Sequence, residues 1–166
     1  MTIFHTVPYT HADAATLVTC LYHEQVRRYG QADLPGSTDQ ADLTPPQGLF
    51  LVGYTASGVP VARGGWRLID DITAEIKRLF VRPDHRGAGC GRALLTTLES
   101  TAARAGAVRV LLETGVHNDH ALALFAAHGY TPVPSYVAGR NPAINRALTK
   151  PLRDAIGHAD APSPRQ

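Results

Sequence analysis

The sequence predicts an α/β (α+β) protein built on one mixed, mostly antiparallel sheet with helices on both of its faces. Short apolar runs bounded by turn residues indicate strands, and three longer segments repeat apolar residues at helical spacing. These segments follow one another in the order β-α-β-β-β-α-β-α-β-β. A strand–helix–strand unit therefore stands in the middle of the chain, with strand meanders on either side of it.

Length and composition fit one globular domain. The chain has 166 residues, of which 44% are hydrophobic and 18% are charged, so it can bury a sizeable core. We expect the domain to span residues 1–152. The polar, proline-containing segment 153–166 is expected to form a flexible tail.

Charge and cysteine usage argue against several classes of protein. The net charge is only +2 and the basic residues are scattered, which disfavours binding to nucleic acid or to a membrane surface. The N-terminus does not resemble a signal peptide, and no apolar run approaches about 18 residues. A cytoplasmic location is therefore expected. Cys20 and Cys90 form neither a disulfide framework nor a metal-ligand pattern, and both are expected to be free thiols.

The first half of the chain is expected to contain one helix and four strands. Ile3–Val7 is a short strand candidate. Thr10 is a candidate N-cap for a helix that ends at Gly30, because apolar residues recur at helical spacing between the two. The next three strands form a meander, and they cover Leu49–Thr55, Val59–Leu68 and Ile72–Val81.

The second half alternates helices and strands. Leu94, Leu95 and Leu98 share one face of a predicted helix over Arg92–Ala105, and Gly106 is placed to end it. The remaining elements are a strand over Val108–Glu113, a short helix over Asp119–His128, and strands over Tyr130–Tyr136 and Ala143–Thr149.

The segment Gln31–Gln47 is long for a connection in a compact domain. It contains Asp33, Asp39 and Asp42 but no Lys or Arg. Two interpretations stay open. The segment is either a solvated surface loop, with a short helix near Gln40–Leu43, or an acidic lid that attracts a cationic substrate.

The most informative stretch is Arg82–Arg92, which reads RPDHRGAGCGR and joins a predicted strand to a predicted helix. Gly87, Gly89 and Gly91 allow the backbone to turn tightly and to approach a ligand, and a helix N-terminus attracts phosphate. The spacing matches neither the GxGxxG fingerprint nor the P-loop, whose lysine is absent. A glycine-rich helix start without a ligand is the alternative.

Several segments together resemble the GNAT (Gcn5-related) N-acetyltransferase family over 3–152, nearly the whole chain. Arg86, Gly89 and Gly91 fit its acyl-CoA loop pattern, [RQ]xxGx[GA]. The stretch AEIKRLFVRPDHRGAGCGRALL resembles the fourth strand, loop and third helix of the family. LLETGVHNDHALALFAAHGY resembles its fifth strand and following helix, and NPAINRALTKPL resembles the closing strand of a bacterial subgroup.

The resemblance implies that acetyl-CoA is the cosubstrate and lies between the fourth and fifth strands. Its pantetheine would pair with fourth-strand backbone, and its pyrophosphate would rest on the glycine loop. Asn118 matches a position that often contacts the pantetheine arm, although a simple helix cap explains it equally well. The residues implied for acetyl-CoA binding are Leu79, Phe80, Val81, Arg86, Gly87, Ala88, Gly89, Cys90, Gly91, Arg92, Asn118 and Phe125. No metal is implied.

Glu75 is the candidate general base, because it matches a fourth-strand position that has this role in some members of the family. A carboxylate beside an apolar cleft can accept the proton of an attacking amine directly or through one water. The alternative is a glutamate paired across the sheet with Arg63 or Arg67. His117 is a less persuasive base, since a lone loop histidine is more often solvated.

Phe125 departs from the family pattern. The ALxLYxxxGF segment of the family has a tyrosine that commonly donates a proton or hydrogen bond to the coenzyme A sulfur, and this chain has phenylalanine there. Phe125 can pack against pantetheine but cannot act as a general acid. Tyr136 or water would then have to serve, or the thiolate leaves unassisted.

The sequence therefore favours an N-acetyltransferase that moves an acetyl group from acetyl-CoA to a primary amine of a small molecule, by direct attack in a ternary complex. A non-catalytic acyl-CoA-binding module is the alternative, and Phe125 is the observation that favours it. Trp66, Arg67 and Tyr29 are candidates for the amine pocket. The identity of the amine and the oligomeric state, a homodimer included, are left open.

Overall fold

The computed structural model describes residues 1–37 and 39–152, which fold into a seven-stranded sheet with three α-helices. The expected tail, residues 153–166, lies outside the described residues. The strands are β1 (Ile3–Thr6), β2 (Gly48–Tyr54), β3 (Pro60–Leu68), β4 (Thr73–Val81), β5 (Arg109–Gly115), β6 (Thr131–Val133) and β7 (Asn145–Pro151). The helices are α1 (Ala12–Tyr29), α2 (Cys90–Arg104) and α3 (Asp119–Ala127).

The strands lie in the order β1-β2-β3-β4-β5-β7-β6. β4 and β5 run parallel and are joined by the crossover through α2, whereas the other neighbouring pairs are antiparallel. A parallel pair needs such a crossover, because a tight turn can only reverse the chain. The predicted mixed, mostly antiparallel sheet with a central strand–helix–strand unit is confirmed.

Helices cover both faces of the sheet, as predicted. On one face, Leu17 and Val18 of α1 form a buried cluster with Phe50 of β2. On the other face, Leu98 of α2 and Phe125 of α3 belong to a second, larger cluster. Burial of each such side chain stabilises the fold by about 1.5–3 kcal/mol. Along the described part of the chain, no helix combines the length and apolar character that a membrane span requires.

Helix α1 begins one residue later than Thr10 predicts. His11 is the N-cap, and its Nδ1 accepts the backbone N–H of Asp13 at 3.2 Å. The prediction of Thr10 as the N-cap is therefore wrong. The carboxylate of Asp13 accepts a hydrogen bond from the hydroxyl of Tyr54 at 2.9 Å. The predicted stop at Gly30 is confirmed, since its φ of 74° ends α1 in the left-handed conformation.

Strand β6 is shorter than the predicted strand Tyr130–Tyr136. Its three residues include Pro132, and Pro134 follows directly. Proline has no N–H to donate and is confined largely to edge strands, which is the position that β6 occupies in the sheet. The predicted short helix in the long acidic segment is confirmed as a 3₁₀ turn over Ala41–Leu43. Cys20 and Cys90 are free thiols, as expected.

β4 and β5 pair only over their first halves. Their parallel register ends where Ile76 lies opposite Leu112. Within the described chain, residues 77–81 of β4 and 113–115 of β5 have no pairing with each other. The two strands therefore leave an open fork, defined by these two ranges, in the middle of an otherwise continuous sheet.

A β-bulge lies at the base of the fork. β4 has one residue more than β3 in this region, because Arg63 pairs with Phe80 while Gly65 pairs with Lys77. Arg78 lies in the bulge at φ 58°, a left-handed conformation that is uncommon for a residue other than glycine. The bulge increases the local twist of β4 and turns its end away from β5.

Candidate active site

The fork contains a cavity of about 420 Å³, a volume typical of a small-molecule site. Its walls are formed by β4 and β5, the two arms of the fork, and by helices on both faces of the sheet. The lining includes Tyr29 of α1, Asp33 of the following loop, Glu75, Lys77, Arg78 and Leu79 of β4, Gly115 of β5, Phe125 of α3, and Arg140 of the loop before β7.

Glu75 lies in the cavity wall at the centre of a polar cluster, the Glu75 cluster, formed with Arg67, Lys77 and Tyr136. The residue is only 3% exposed. Its Oε2 accepts from Nε of Arg67 at 2.7 Å, and its Oε1 accepts from the hydroxyl of Tyr136 at 3.1 Å. The ammonium of Lys77 lies 3.7 Å from Oε1. Of the two cross-strand partners that the sequence suggested, Arg67 is the one observed.

The partners of Glu75 are held in their donor forms. Burial, followed by the negative charge of Glu75, raises the pKa of Tyr136, so its hydroxyl keeps its proton at neutral pH. Burial would lower the pKa of Arg67, but hydrogen bonds to Glu75 and Asp42 outweigh it and the pKa is raised. The carboxylate of Glu75 is thereby fixed in one orientation in the cavity wall.

Arg63 supports the bulge rather than Glu75. Its guanidinium is completely buried, and Nη1 donates to the backbone carbonyl of Arg78. Burial lowers the pKa of Arg63 to about 9. Nε and Nη2 have no hydrogen-bond partner among the described residues. Because a trans peptide directs its N–H opposite to its carbonyl, the bond from Arg63 also fixes the direction of the Leu79 N–H.

The glycine turn between β4 and α2 presents unused backbone donors. Gly89 is the N-cap of α2 at φ 83°, and no side chain caps the helix. The first helical hydrogen bond runs from Ala93 N–H to the Gly89 carbonyl at 3.0 Å. Over the described residues, the N–H groups of 87–92 make no backbone hydrogen bond. These donors and the positive end of the α2 dipole create an anion site.

Some side chains predicted for this turn are already engaged. Nε of Arg86 donates to the Val81 carbonyl at 2.8 Å, and Nη2 pairs with Glu24 at 2.7 Å. The side chains of Phe80, Val81 and Cys90 are buried in the core, so these residues can offer only their backbone to a ligand. Leu79 is half-buried and lines the cavity, while Arg92 is exposed beside the turn.

Asn118 and Phe125 lie on the α3 side of the cavity. Asn118 is the N-cap of α3, with Oδ1 accepting the N–H of Ala121 at 3.3 Å, and it also lines the cavity. The local cap that the sequence suggested is therefore observed, while the side-chain N–H₂ stays available. Phe125 is 4% exposed, lines the cavity and packs at 5.5 Å between ring centroids against Tyr130.

The three candidates for the amine pocket are placed differently. Tyr29 lines the cavity, and its ring stacks on the exposed His117 at 6.1 Å between centroids. Arg67 is occupied in the Glu75 cluster. Trp66 is not at the cavity: it is buried against α2, where its Nε1 donates to Thr101 at 2.9 Å.

Arginines distant in sequence neutralise much of the acidic segment. Arg140 binds both carboxylate oxygens of Asp33, at 3.0 and 2.6 Å, and also Glu113 at 3.0 Å. Arg67 pairs with Asp42 at 2.5 Å. The hydrogen bond to Arg140 lowers the pKa of Asp33. The segment therefore closes one side of the cavity as a tied loop. Two of its three aspartates are paired with arginines, which neutralise most of the negative charge that the sequence shows.

Three contributions to this site were missed by sequence reasoning: the bulge at Arg78, the tie made by Arg140, and the anchoring bond from Arg63. Alternating strand patterns do not mark a bulge, and nothing near Arg140 in the sequence identifies Asp33 as its partner.

Among residues 1–37 and 39–152, no group of three His, Cys, Asp or Glu side chains is placed to hold a metal ion. The arrangement offers an open strand edge and a buried carboxylate at one cavity, and an anion site at the glycine turn that follows β4.

Both the sequence and the fold are similar to those of known proteins. The sequence model of the Acetyltransferase (GNAT) family matches residues 15–130. An "IAA acetyltransferase" from Azospirillum brasilense is 38% identical over 93 residues, covering 55% of this chain and 60% of that protein. The chain thus matches less than two thirds of the length of this curated relative.

Solved structures extend the likeness over almost the whole chain. A Klebsiella pneumoniae protein assigned as an acyl-CoA N-acyltransferase is 26% identical, with a TM-score of 0.79 over 92% of this chain and 99% of that one. An IAA acetyltransferase from Bacillus cereus ATCC 14579 is 18% identical, with a TM-score of 0.67 over 92% of this chain and 100% of that one, a likeness of fold alone.

Proposed function

Because the chain belongs to the GNAT family of acetyltransferases, we propose that it transfers an acetyl group from acetyl-CoA to a primary amine of a small molecule. The observation that carries this proposal is the fork. An open strand edge leads directly from the cavity that contains Glu75 to the unused N–H groups of the glycine turn. One elongated ligand with amide groups in its arm and a pyrophosphate at its end suits this path.

The binding mode follows from the donors and acceptors along the path. The amides of the pantetheine arm would pair with the free edge of β4, as an added strand would. The pyrophosphate would accept from the N–H groups of residues 87–92, with Arg92 beside them. The free amide N–H₂ of Asn118 is placed to donate to the arm. Phe125 offers only apolar packing.

The chemistry proposed for the cavity is direct attack in a ternary complex. The amine nitrogen attacks the thioester carbonyl carbon, a C–N bond forms, and the C–S bond breaks with its electron pair going to sulfur. Glu75 accepts the proton that the amine loses, directly or through one water. The N–H of Leu79, directed by the bond from Arg63 to the Arg78 carbonyl, is the candidate donor to the thioester oxygen.

The acceptor is proposed to be small, because the cavity of about 420 Å³ is closed on one side by the loop that Arg140 ties to Asp33. The related Azospirillum brasilense protein is named an IAA acetyltransferase, and a small acceptor is consistent with that name. Charged side chains of both signs, among them Asp33 and Lys77, line the cavity.

A non-catalytic acyl-CoA-binding module is the second candidate, and Phe125 favours it because no hydroxyl occupies the position of the family tyrosine. Such a module would need the fork and the glycine turn but not Glu75. A buried carboxylate in the cavity wall is an unfavourable feature for binding alone, and the enzyme therefore remains the preferred proposal.

Calorimetry with acetyl-CoA on a matched pair of variants tests the binding mode. Gly89 and Gly106 both have positive φ, and a Cβ at either position would meet no atom within 4 Å. Gly89→Val and Gly106→Val therefore impose similar backbone strain at opposite ends of α2. Only Gly89→Val should weaken acetyl-CoA binding, by at least about tenfold or ~1.4 kcal/mol. Equal affinities of the two folded variants would contradict the proposed site.

Release of free thiol from acetyl-CoA with a panel of amines tests the reaction itself. We expect amine-dependent thiol release and an acetylated product for at least one small primary amine. Tight acetyl-CoA binding without thiol release across the panel would favour the non-catalytic module instead.

A further inference from the structure

The hydroxyl of Tyr29 is buried and has no hydrogen-bond partner. Among the described side chains it is the one buried oxygen in this condition, the other unpaired atoms being Nε and Nη2 of Arg63. A buried hydroxyl without a partner reduces stability. Its position at the cavity suggests that its partner is a group of the bound substrate.

The surrounding residues hold this hydroxyl at one place. Tyr29 is the last residue of α1, and Gly30 then turns the chain away at φ 74°. Its ring stacks nearly parallel, at 21°, on His117. The oxygen lies over Gly115 at the end of β5, where a Cβ would be only 1.9 Å from it. A glycine at 115 is therefore required by the tyrosine, and the hydroxyl is fixed against the β5 arm of the fork.

At the cavity and in the Glu75 cluster, other phenol donors to the departing sulfur are absent or occupied. Phe125 has no hydroxyl, and the hydroxyl of Tyr136 donates to Glu75. Thr114 also lines the cavity, but its hydroxyl is an alcohol and a much weaker acid than a phenol. Tyr29 thus combines a phenol, a free donor and a place on the cavity wall.

We propose that Tyr29 donates a hydrogen bond to the coenzyme A sulfur as the C–S bond breaks, in place of the tyrosine that Phe125 replaces. This inference rests on the proposed acetyl transfer. The electron pair of the broken bond goes to sulfur, and the Tyr29 O–H stabilises the resulting thiolate. In this role the Tyr29 O–H donates a hydrogen bond to the sulfur, and no proton is transferred from it. The thiolate later takes a proton from water.

The first test removes only the hydroxyl oxygen. Tyr29→Phe should lower kcat about 10–100-fold, the expected effect of one hydrogen bond to a developing charge, and leave the KM for acetyl-CoA within about threefold. Its Tm should be unchanged or higher, because an unpaired buried hydroxyl has been removed. Tyr54→Phe is the matched control: its hydroxyl donates to Asp13 at 2.9 Å outside the cavity, so Tm should fall and kcat should not.

The second test moves the hydroxyl to the position that the family uses. Adding Phe125→Tyr to Tyr29→Phe should raise kcat at least about threefold above the single variant, because either phenol can serve the same sulfur. A role of Tyr29 in packing alone would show no such recovery.

The outcomes separate this inference from the function on which it rests. An active wild-type protein with a Tyr29→Phe variant of equal kcat would overturn the role of Tyr29 and leave acetyl transfer intact. A loss of kcat that comes with a lower Tm and is not recovered by Phe125→Tyr would overturn it as well. A wild-type protein that releases no thiol with any amine would overturn the proposed function and this inference together.

Discussion

Two buried glutamates, Glu75 and Glu99, have the same kinds of partner in different surroundings. Glu99 of α2 accepts from the hydroxyl of Tyr130 at 2.9 Å and from the ammonium of Lys150 at 2.8 Å. Glu75 likewise accepts from a tyrosine hydroxyl and from a cationic side chain. In both cases burial raises the pKa of the tyrosine, which keeps it a donor.

The difference lies in what surrounds the carboxylates. Glu99 joins α2 to the turn after α3 and to β7, and Lys150 also lies over the Tyr130 ring at 5.6 Å. Glu75 forms part of the cavity wall, next to the point where β4 and β5 separate. The same kinds of polar partner can therefore hold a structural tie in one place and a carboxylate of the cavity wall in another. The open space beside a carboxylate, rather than its partners, distinguishes the two.

The largest expected effect is a difference in kcat between variants that remove the charge of Glu75 or of Glu99. Glu75→Gln keeps shape and packing but cannot accept a proton, so kcat should fall about 10²–10⁴-fold. Glu99→Gln should leave kcat within about threefold, since this carboxylate does not reach the cavity. Steady-state kinetics with the best amine of the panel measures both. Similar losses of kcat in the two variants would show that Glu75 has no catalytic role that Glu99 lacks.

Stability should rank the same two variants in the opposite order. Glu99→Gln removes the anionic partner of a half-buried Lys150 and should lower the free energy of unfolding by about 1–3 kcal/mol. Glu75→Gln should be less destabilising, because Arg67 retains its ion pair with Asp42. Urea unfolding of both variants gives the comparison. A greater loss in Glu75→Gln would indicate that Glu75 is mainly a structural ion-pair partner.

The two tyrosines sharpen the comparison further. Tyr130→Phe should lower the free energy of unfolding by about 0.5–1.5 kcal/mol, the usual worth of one hydrogen bond, without affecting kcat. Tyr136→Phe frees Oε1 of Glu75 and should change kcat by up to about tenfold through the orientation of that carboxylate. Parallel melts and rate measurements test this. Unequal kcat values for wild type and Tyr130→Phe would count against a purely structural role for the Glu99 group.

The smallest effect is expected at the loop tied over the cavity. The hydrogen bond to Arg140 lowers the pKa of Asp33 from its ordinary value of 3.8. The ion pair therefore contributes its full stability at pH values above 3.8. This contribution is lost as the pH falls through the lower pKa of the folded state. Asp33→Asn should therefore cost at most about 1 kcal/mol at neutral pH, as for other partly exposed pairs. At pH values below the folded-state pKa of Asp33, the wild type and Asp33→Asn should have similar free energies of unfolding.

A matched variant in the same segment controls this experiment. Asp39 accepts the backbone N–H of Ala41 at 2.9 Å rather than an arginine. In urea unfolding, the difference in stability between wild type and Asp39→Asn should vary less with pH than the difference between wild type and Asp33→Asn. A difference between wild type and Asp33→Asn that grows at low pH would contradict the assigned role of Arg140.

The sequence was sufficient where a contact depends on local pattern or strand pairing. The helix stop at Gly30 and the strand–turn–helix at Gly89 follow from glycine and apolar spacing. The pair of Arg67 and Glu75 was one of two options, and the antiparallel register of β3 and β4 selects it. The element order alone predicted the parallel pair that opens into the fork.

Features that depend on distant segments could not be predicted in this way. The bulge at Arg78 arises from the fit of β4 to β3 and is tied by a buried Arg63. The tie between Asp33 and Arg140 joins residues that are 107 positions apart. The hydroxyl of Tyr29 stands out only after its missing partner and the space over Gly115 are seen.

The pH dependence of kcat in the Glu75→Gln and Glu99→Gln variants tests the central claim most directly. If Glu75 accepts the proton of the amine, kcat of the wild type and of Glu99→Gln should fall as the pH is lowered and that carboxylate becomes protonated. The Glu75→Gln profile should lack this acidic limb and lie well below the other two. A Glu75→Gln protein with near-normal kcat and the same acidic limb would remove Glu75 from the mechanism and contradict its role as the general base.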